Sequence, residues 1–98
     1  MARDRTKLTD AEVQAWLKAH PGWAFEGGMI RRTFVFRDFR GSMDFVNRVA
    51  DAAEAADHHP DIDIRYSKVT LALVTHDAGG LTSRDTKLAE EADALAKS

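Results

Sequence analysis

Between Met43 and Ile64 the spacing of apolar residues changes period, and that change limits the chain to a few folds. Met43, Val46, Ala50 and Ala53 recur at helical spacing, with Phe45, Val49, Ala52 and Ala56 widening the stripe. From "DHHPDIDI" onward the period is two, which is the spacing of a strand. Pro60 disfavours the α conformation at His59, so the helix ends near His58 and a strand begins just beyond it. Two of the chain's 4 histidines therefore occupy a helix-to-strand corner.

The remaining elements fall into place around that corner. "LTDAEVQAWLKAHPGW" carries a capping box, Thr9 with Glu12, and Leu8 can staple onto Val13; Val13, Trp16 and Leu17 form the apolar face until "HPG" stops the helix. "GWAFEGGMIRRTFVFRD" reads as a hairpin with Gly27-Gly28 as its turn, Phe34 and Phe36 on one face, and Thr33 and Val35 on the other. "DIDIRYSKVTLALVTH" reads as a second hairpin turning at Ser67-Lys68, the only polar break within it. After "DAGG", Thr82 and Asp85 resemble a capping box, and Leu88, Ala92, Leu95 and Ala96 give a last amphipathic helix. The order α-β-β-α-β-β-α predicts an α+β domain over residues 1–98: a four-stranded antiparallel sheet from two hairpins, with three helices packed on one face. The open face and edge of such a sheet predict a homo-oligomer, a homodimer or homotetramer.

Composition narrows what the domain can do. A net charge of −2 gives no general attraction to nucleic acid or anionic lipid, and the basic start "MARDRTK" reads as a frayed, solvated terminus. No apolar run could span a bilayer and no apolar signal segment follows the N-terminus, so a cytoplasmic location is expected. With 0 cysteines, thiolate nucleophiles and Cys-ligated metals are excluded, and histidine, carboxylate and hydroxyl groups remain for chemistry.

Pairing Tyr66 with Val69 across Ser67-Lys68 places Ile64 against Leu71 and Ile62 against Leu73, and carries His59 opposite His76. The same register points Ile62, Ile64, Tyr66, Val69, Leu71 and Leu73 inward, and Asp61, Asp63, Arg65, Thr70 and His76 outward. Glu54 lies four residues before His58, so its carboxylate is expected to orient that ring and favour its cation. Against this stands the plainer reading that histidines at helix ends are solvated residues favoured by the helix dipole, which is adopted for His20. Trp16, Phe34 and Phe36 are assigned to the core; Trp23, after "PG", could form the rim of a pocket. Three histidines with nearby carboxylates also suit zinc, but vicinal histidines diverge at a corner and no "HExxH" or i, i+4 His pair is present, so no metal is assigned. No nucleotide-binding glycine pattern or nucleophile elbow occurs, which leaves proton transfer by imidazole.

The spaced pattern "EAADHHP", Tyr66, "THDAGGLTSRD" resembles the pterin-4a-carbinolamine dehydratase family, as do "FVFRDFRGSMDFVNRVADAAE" and the early Gly22-Trp23. The resemblance implies dehydration of 4a-hydroxytetrahydropterin to quinonoid dihydropterin, the recycling step that follows an aromatic amino acid hydroxylase, with no metal or organic cofactor. It implies that His58, His59 and His76 surround the pterin, that Glu54 and Asp85 support them, and that substrate contacts come from Asp57, His58, His59, Pro60, Val74, Thr75, His76 and Trp23. Ile62 departs from the pattern, because members often carry tryptophan there. Animal relatives also act as dimerisation cofactors for a homeodomain transcription factor, so a non-enzymatic assembly module stands as the alternative.

Overall fold

The structure, a computed structural model, describes residues 6–97, so most of the basic start lies outside the described residues. Helix α1 (Asp10–Ala19) opens on the expected capping box: Glu12 N–H donates to Thr9 Oγ1 at 3.1 Å and Thr9 N–H to Glu12 Oε1 at 2.9 Å. Strands β1 (Ala24–Glu26) and β2 (Met29–Val35) follow, joined by Gly27 and Gly28 at φ 61° and 80°. A left-handed pair is the type I′ form of a two-residue turn, whose twist matches that of the strands, and glycine supplies it without a β-carbon clash.

Helix α2 (Phe39–Ala56) is capped by Asp38, whose carboxylate accepts from Gly41 N–H at 2.9 Å. Its inner face is Ser42, Phe45, Val49 and Ala53, while Ala50 and Ala56 are exposed at the margins of the expected stripe. Strands β3 (Asp61–Arg65) and β4 (Lys68–Leu73) complete an antiparallel sheet in the order β1-β2-β4-β3, and helix α3 (Ser83–Ala96) follows a short 3-10 turn at His76–Ala78. The α+β architecture and element order are those read from the sequence.

The second hairpin turns two residues in register from its expected position. Arg65 pairs with Lys68, Ile64 with Val69 and Ile62 with Leu71, so the turn is Tyr66-Ser67 rather than Ser67-Lys68. Tyr66 adopts φ 54° and is exposed instead of pointing inward. The cause is tertiary: Ser42 Oγ donates to the Tyr66 carbonyl at 2.6 Å, and Phe36 N–H donates to the Ser67 carbonyl at 2.7 Å. A slip of two preserves the alternation of faces, so Val69, Leu71 and Leu73 remain inward and buried.

The helices cover one face of the sheet. Ile30, Phe34, Phe45, Val49, Leu71, Leu73, Leu81 and Leu88 are at most 5% exposed and form the core with Val13 and Trp23. On the open face the hydroxyls of Thr33 and Thr70 meet at 2.8 Å. Among the described residues, the outer edge of β2 beyond Arg31 has no strand beside it, because β1 pairs only with Met29, Ile30 and Arg31. Among the described residues no helix is long and apolar enough to cross a membrane.

Candidate active site

The last turn of α2 aims both corner histidines. Asp57 takes the left-handed conformation (φ 51°, ψ 44°), and main-chain bonds run from Asp57 N–H to the Glu54 carbonyl at 3.2 Å and from His58 N–H to the Ala53 carbonyl at 3.0 Å. This pair of bonds is the Schellman arrangement, which is found mostly with glycine at the left-handed position. The conformation costs a residue with a β-carbon on the order of 1–3 kcal/mol, so surrounding contacts must hold it.

Leaving the helix this way takes His58 out of helical phase with Glu54. The expected Glu54–His58 pair is absent: Glu54 Oε2 meets His59 Nε2 at 2.5 Å, and His58 Nε2 meets Asp85 Oδ1 at 2.6 Å. The two pairs differ in kind. Glu54 and His59 have side chains 76% and 56% exposed, where water screens the attraction, whereas Asp85 is wholly buried and the His58 side chain is 9% exposed.

Burial of Asp85 is offset by donors. Its Oδ2 accepts from Thr75 Oγ1 at 2.8 Å and from Thr82 N–H at 2.9 Å, the latter closing the capping box of α3, and the Thr75 and Thr82 hydroxyls lie 2.8 Å apart. As a carboxylate Asp85 only accepts, so His58 Nε2 carries the hydrogen between them. His58 Nδ1 has no partner among the described residues. No buried side-chain nitrogen or oxygen there lacks one, so Nδ1 is not sealed from solvent, and His58 is among the residues that line a cleft.

That cleft, about 330 Å³, is lined by Asp57, His58, His59, Val74, Thr75, His76, Asp77 and Arg84. Its volume is at the lower end for small-molecule sites, roughly 300–1,000 Å³. His76 reaches it from the 3-10 turn, not from a ladder position opposite His59, since β3 begins at Asp61 and β4 ends at Leu73. The bridge between Thr75 and Gly80 closes this turn. All three histidines therefore meet at one cleft, although the register expected to pair His59 with His76 does not occur.

The other expected site residues divide. Glu54 and Asp85 stand behind the histidines, and Pro60 is not among the lining residues. Trp23 is 4% exposed in the core and its indole N–H donates to the Asp93 carboxylate at 3.0 Å. Asp93 is eight residues along α3 from Asp85, about 12 Å at 1.5 Å per residue, so Trp23 forms no rim of this cleft. Ile62 is 38% exposed and does not line the cleft either. Asp77, one of the carboxylates near the histidines in sequence, also lines the cleft, and Arg84 is a lining residue that sequence reasoning passed over; both stand within "THDAGGLTSRD". Among the described residues no group of three or more His, Asp and Glu could hold a metal ion.

Residues 6–95 match the model of the family described as pterin 4 alpha carbinolamine dehydratase. The chain belongs to this dehydratase family. A relative from a Picosynechococcus species with a provisional pterin-4-alpha-carbinolamine dehydratase name is 53% identical over 90 residues, covering 92% of this chain and 98% of the relative. A Koribacter versatilis relative with the same provisional name is 58% identical over 82 residues, covering 84% of this chain and 87% of its own. The crystal structure of a transcriptional coactivator/pterin dehydratase from Brucella melitensis superposes with a TM-score of 0.89 at 35% identity, covering 93% of this chain and 99% of that one. A pterin dehydratase-like RuBisCO assembly factor of the alpha-carboxysome superposes with a TM-score of 0.67 at 25% identity, covering 79% and 92%. Membership supports a dehydratase acting on a pterin carbinolamine.

Proposed function

We propose that the chain is one dehydratase-like domain that converts 4a-hydroxytetrahydropterin to quinonoid dihydropterin in the cytoplasm, using His58, His59 and His76 as proton carriers. The observation that carries this reading is the His58–Asp85 pair, which fixes through Nε2 a ring lining a cleft that two further histidines also line. The reaction breaks the C4a–O bond and the N5–H bond, forms a C4a=N5 double bond and releases water. One group must deliver a proton to the departing hydroxyl and another must take the proton from nitrogen. Imidazole titrates near neutrality, about pKa 6.5 in the unperturbed side chain, and can fill either role. Each acid or base contributes about 10²–10⁴ in rate, enough for a reaction that already proceeds slowly unaided.

Asp57, His58, His59, Val74, Thr75 and His76 line the cleft, and those of their main-chain groups not already bonded within the protein would meet the polar edge of the ring. The natural source of the substrate is an aromatic amino acid hydroxylase. The open β2 edge beyond Arg31, ending in exposed Val35, supports a homodimer or homotetramer joined through paired edges. Loss of carbinolamine in the presence of purified protein, measured against the uncatalysed rate, tests the reading; equal rates would refute it.

The structural likeness to the RuBisCO assembly factor favours a second reading, a non-enzymatic assembly module. That role makes no use of a carboxylate-held imidazole facing an open cleft, so the retained His58–Asp85 pair weighs toward the enzyme.

A further inference from the structure

Arg84 lines the cleft, yet its guanidinium is committed elsewhere. Nη2 donates to the Asp57 carbonyl at 2.7 Å and to the Ala56 carbonyl at 3.4 Å. These carbonyls belong to the end of α2, where the helix leaves acceptors without partners and a cation is favoured. Asp57 is the left-handed residue of the corner, and His58 follows it. The residue after Arg84 is Asp85, which holds the His58 ring. The first turn of α3 thus grips the corner twice, through the main chain of Asp57 and through the ring of His58.

We infer that Arg84 is a positioning residue that pins Asp57 in its left-handed conformation and thereby sets the directions of His58 and His59. If Asp57 relaxed into the right-handed region, α2 would gain a residue. His58 would then rotate by one helical step, about 100°, away from Asp85. Among the described residues no other side chain bonds the Asp57 carbonyl, and the strain of a β-carbon at positive φ favours the relaxation. The competing role for an arginine in a cleft is direct contact with the substrate's polar edge. Both roles predict a loss on truncation, but only positioning predicts recovery when position 57 becomes glycine, which takes a positive φ without a β-carbon penalty.

The variants are Arg84→Ala, Arg84→Lys and Arg84→Ala/Asp57→Gly, each assayed for kcat and KM. Activity is read through the dehydratase proposal, so a second measurement is independent of it: the proton NMR signal of His58 Nε2–H, which a short bond to a carboxylate moves downfield and shields from exchange. Arg84→Ala is expected to lower kcat about tenfold with KM within about twofold, short of the roughly 10² that a misplacement of 1 Å can cost. Arg84→Lys should retain a larger kcat than Arg84→Ala, because an ammonium can still donate to the Asp57 carbonyl. The double variant should regain at least about threefold over Arg84→Ala, and the downfield signal lost in Arg84→Ala should return with it. A raised KM at unchanged kcat, or no recovery with glycine, would overturn the inference. So would an unaltered downfield signal in Arg84→Ala, whatever the activity. If the parent protein shows no dehydratase activity, the functional proposal fails while the NMR signal still decides the role of Arg84.

Discussion

Asp85 and His58 are 27 residues apart in the chain and 2.6 Å apart in space, and the carboxylate that closes the capping box of α3 is the one that holds the ring. One side chain therefore serves helix initiation and the candidate site together. Asp85→Asn keeps the shape but turns an amide donor toward groups that are themselves donors. It should lower kcat at least about tenfold and reduce stability by about 1–3 kcal/mol, since buried Thr75, Thr82 and His58 lose an ionised acceptor. Urea titration and steady-state rates on the same preparation check both. Unchanged rates with lowered stability would leave Asp85 only a structural role.

Alanine at His58, His59 or His76 should each lower turnover at least about tenfold by removing a proton carrier. His20→Ala should leave it unchanged, because His20 stacks on Trp16 at 4.3 Å and its Nδ1 bonds the Trp16 carbonyl, away from the cleft. Full activity in the double variant His58→Ala/His59→Ala would end the proposed mechanism.

Glu54 should act through His59. Glu54→Gln should lower kcat in the parent but have little further effect once His59 is alanine, the non-additivity of a contacting pair. The exposed Glu54–His59 pair adds little to stability, so the urea midpoint should not move. Additive losses in the double variant would assign Glu54 a role of its own.

At the second hairpin, Tyr66 holds φ 54° and the residue is 66% exposed, so it carries strain with little packing in return. Tyr66→Gly should stabilise the protein by about 1 kcal/mol, or roughly 4–8 °C in Tm for a domain of this size. Thermal unfolding checks this; a lower Tm would mean that the aromatic ring contributes more than its exposure indicates.

In solution, light scattering at micromolar concentration should give a mass of at least two chains. Val35, on the open part of β2 and 68% exposed, should weaken the association when replaced by lysine, because a charge on an edge strand blocks pairing. A monomer mass for the parent would remove the proposed assembly.

Local chemistry made most of the fold legible. Thr9-Glu12 and Thr82-Asp85 mark helix starts through side-chain bonds within one turn, and Gly27-Gly28 marks the first hairpin by the conformations only glycine adopts cheaply. The second turn was not legible, because Ser42 and Phe36, which clamp Tyr66-Ser67, are distant in sequence from it. The same distinction governs the site. Three histidines on one cleft could be anticipated, but their partners depended on the left-handed Asp57, which no local pattern at a non-glycine residue announces. Trp23 was misjudged for a related reason: the chain around it cannot reveal Asp93, 70 residues away.

Helix α3 ties its two ends to different parts of the molecule. Arg84 and Asp85 hold the histidine corner at one end, while Glu90 accepts from the Trp16 indole at 2.8 Å, and Asp93 accepts from Trp23 and from Arg32 at 2.9 Å further along. The consequence is kinetic and thermal. Were the first turn to open while the latter turns stayed docked, the candidate site would be lost below the global unfolding temperature. Amide exchange at Asp85 and Thr86 would register that opening, and inactivation on warming should follow those amides and not the core.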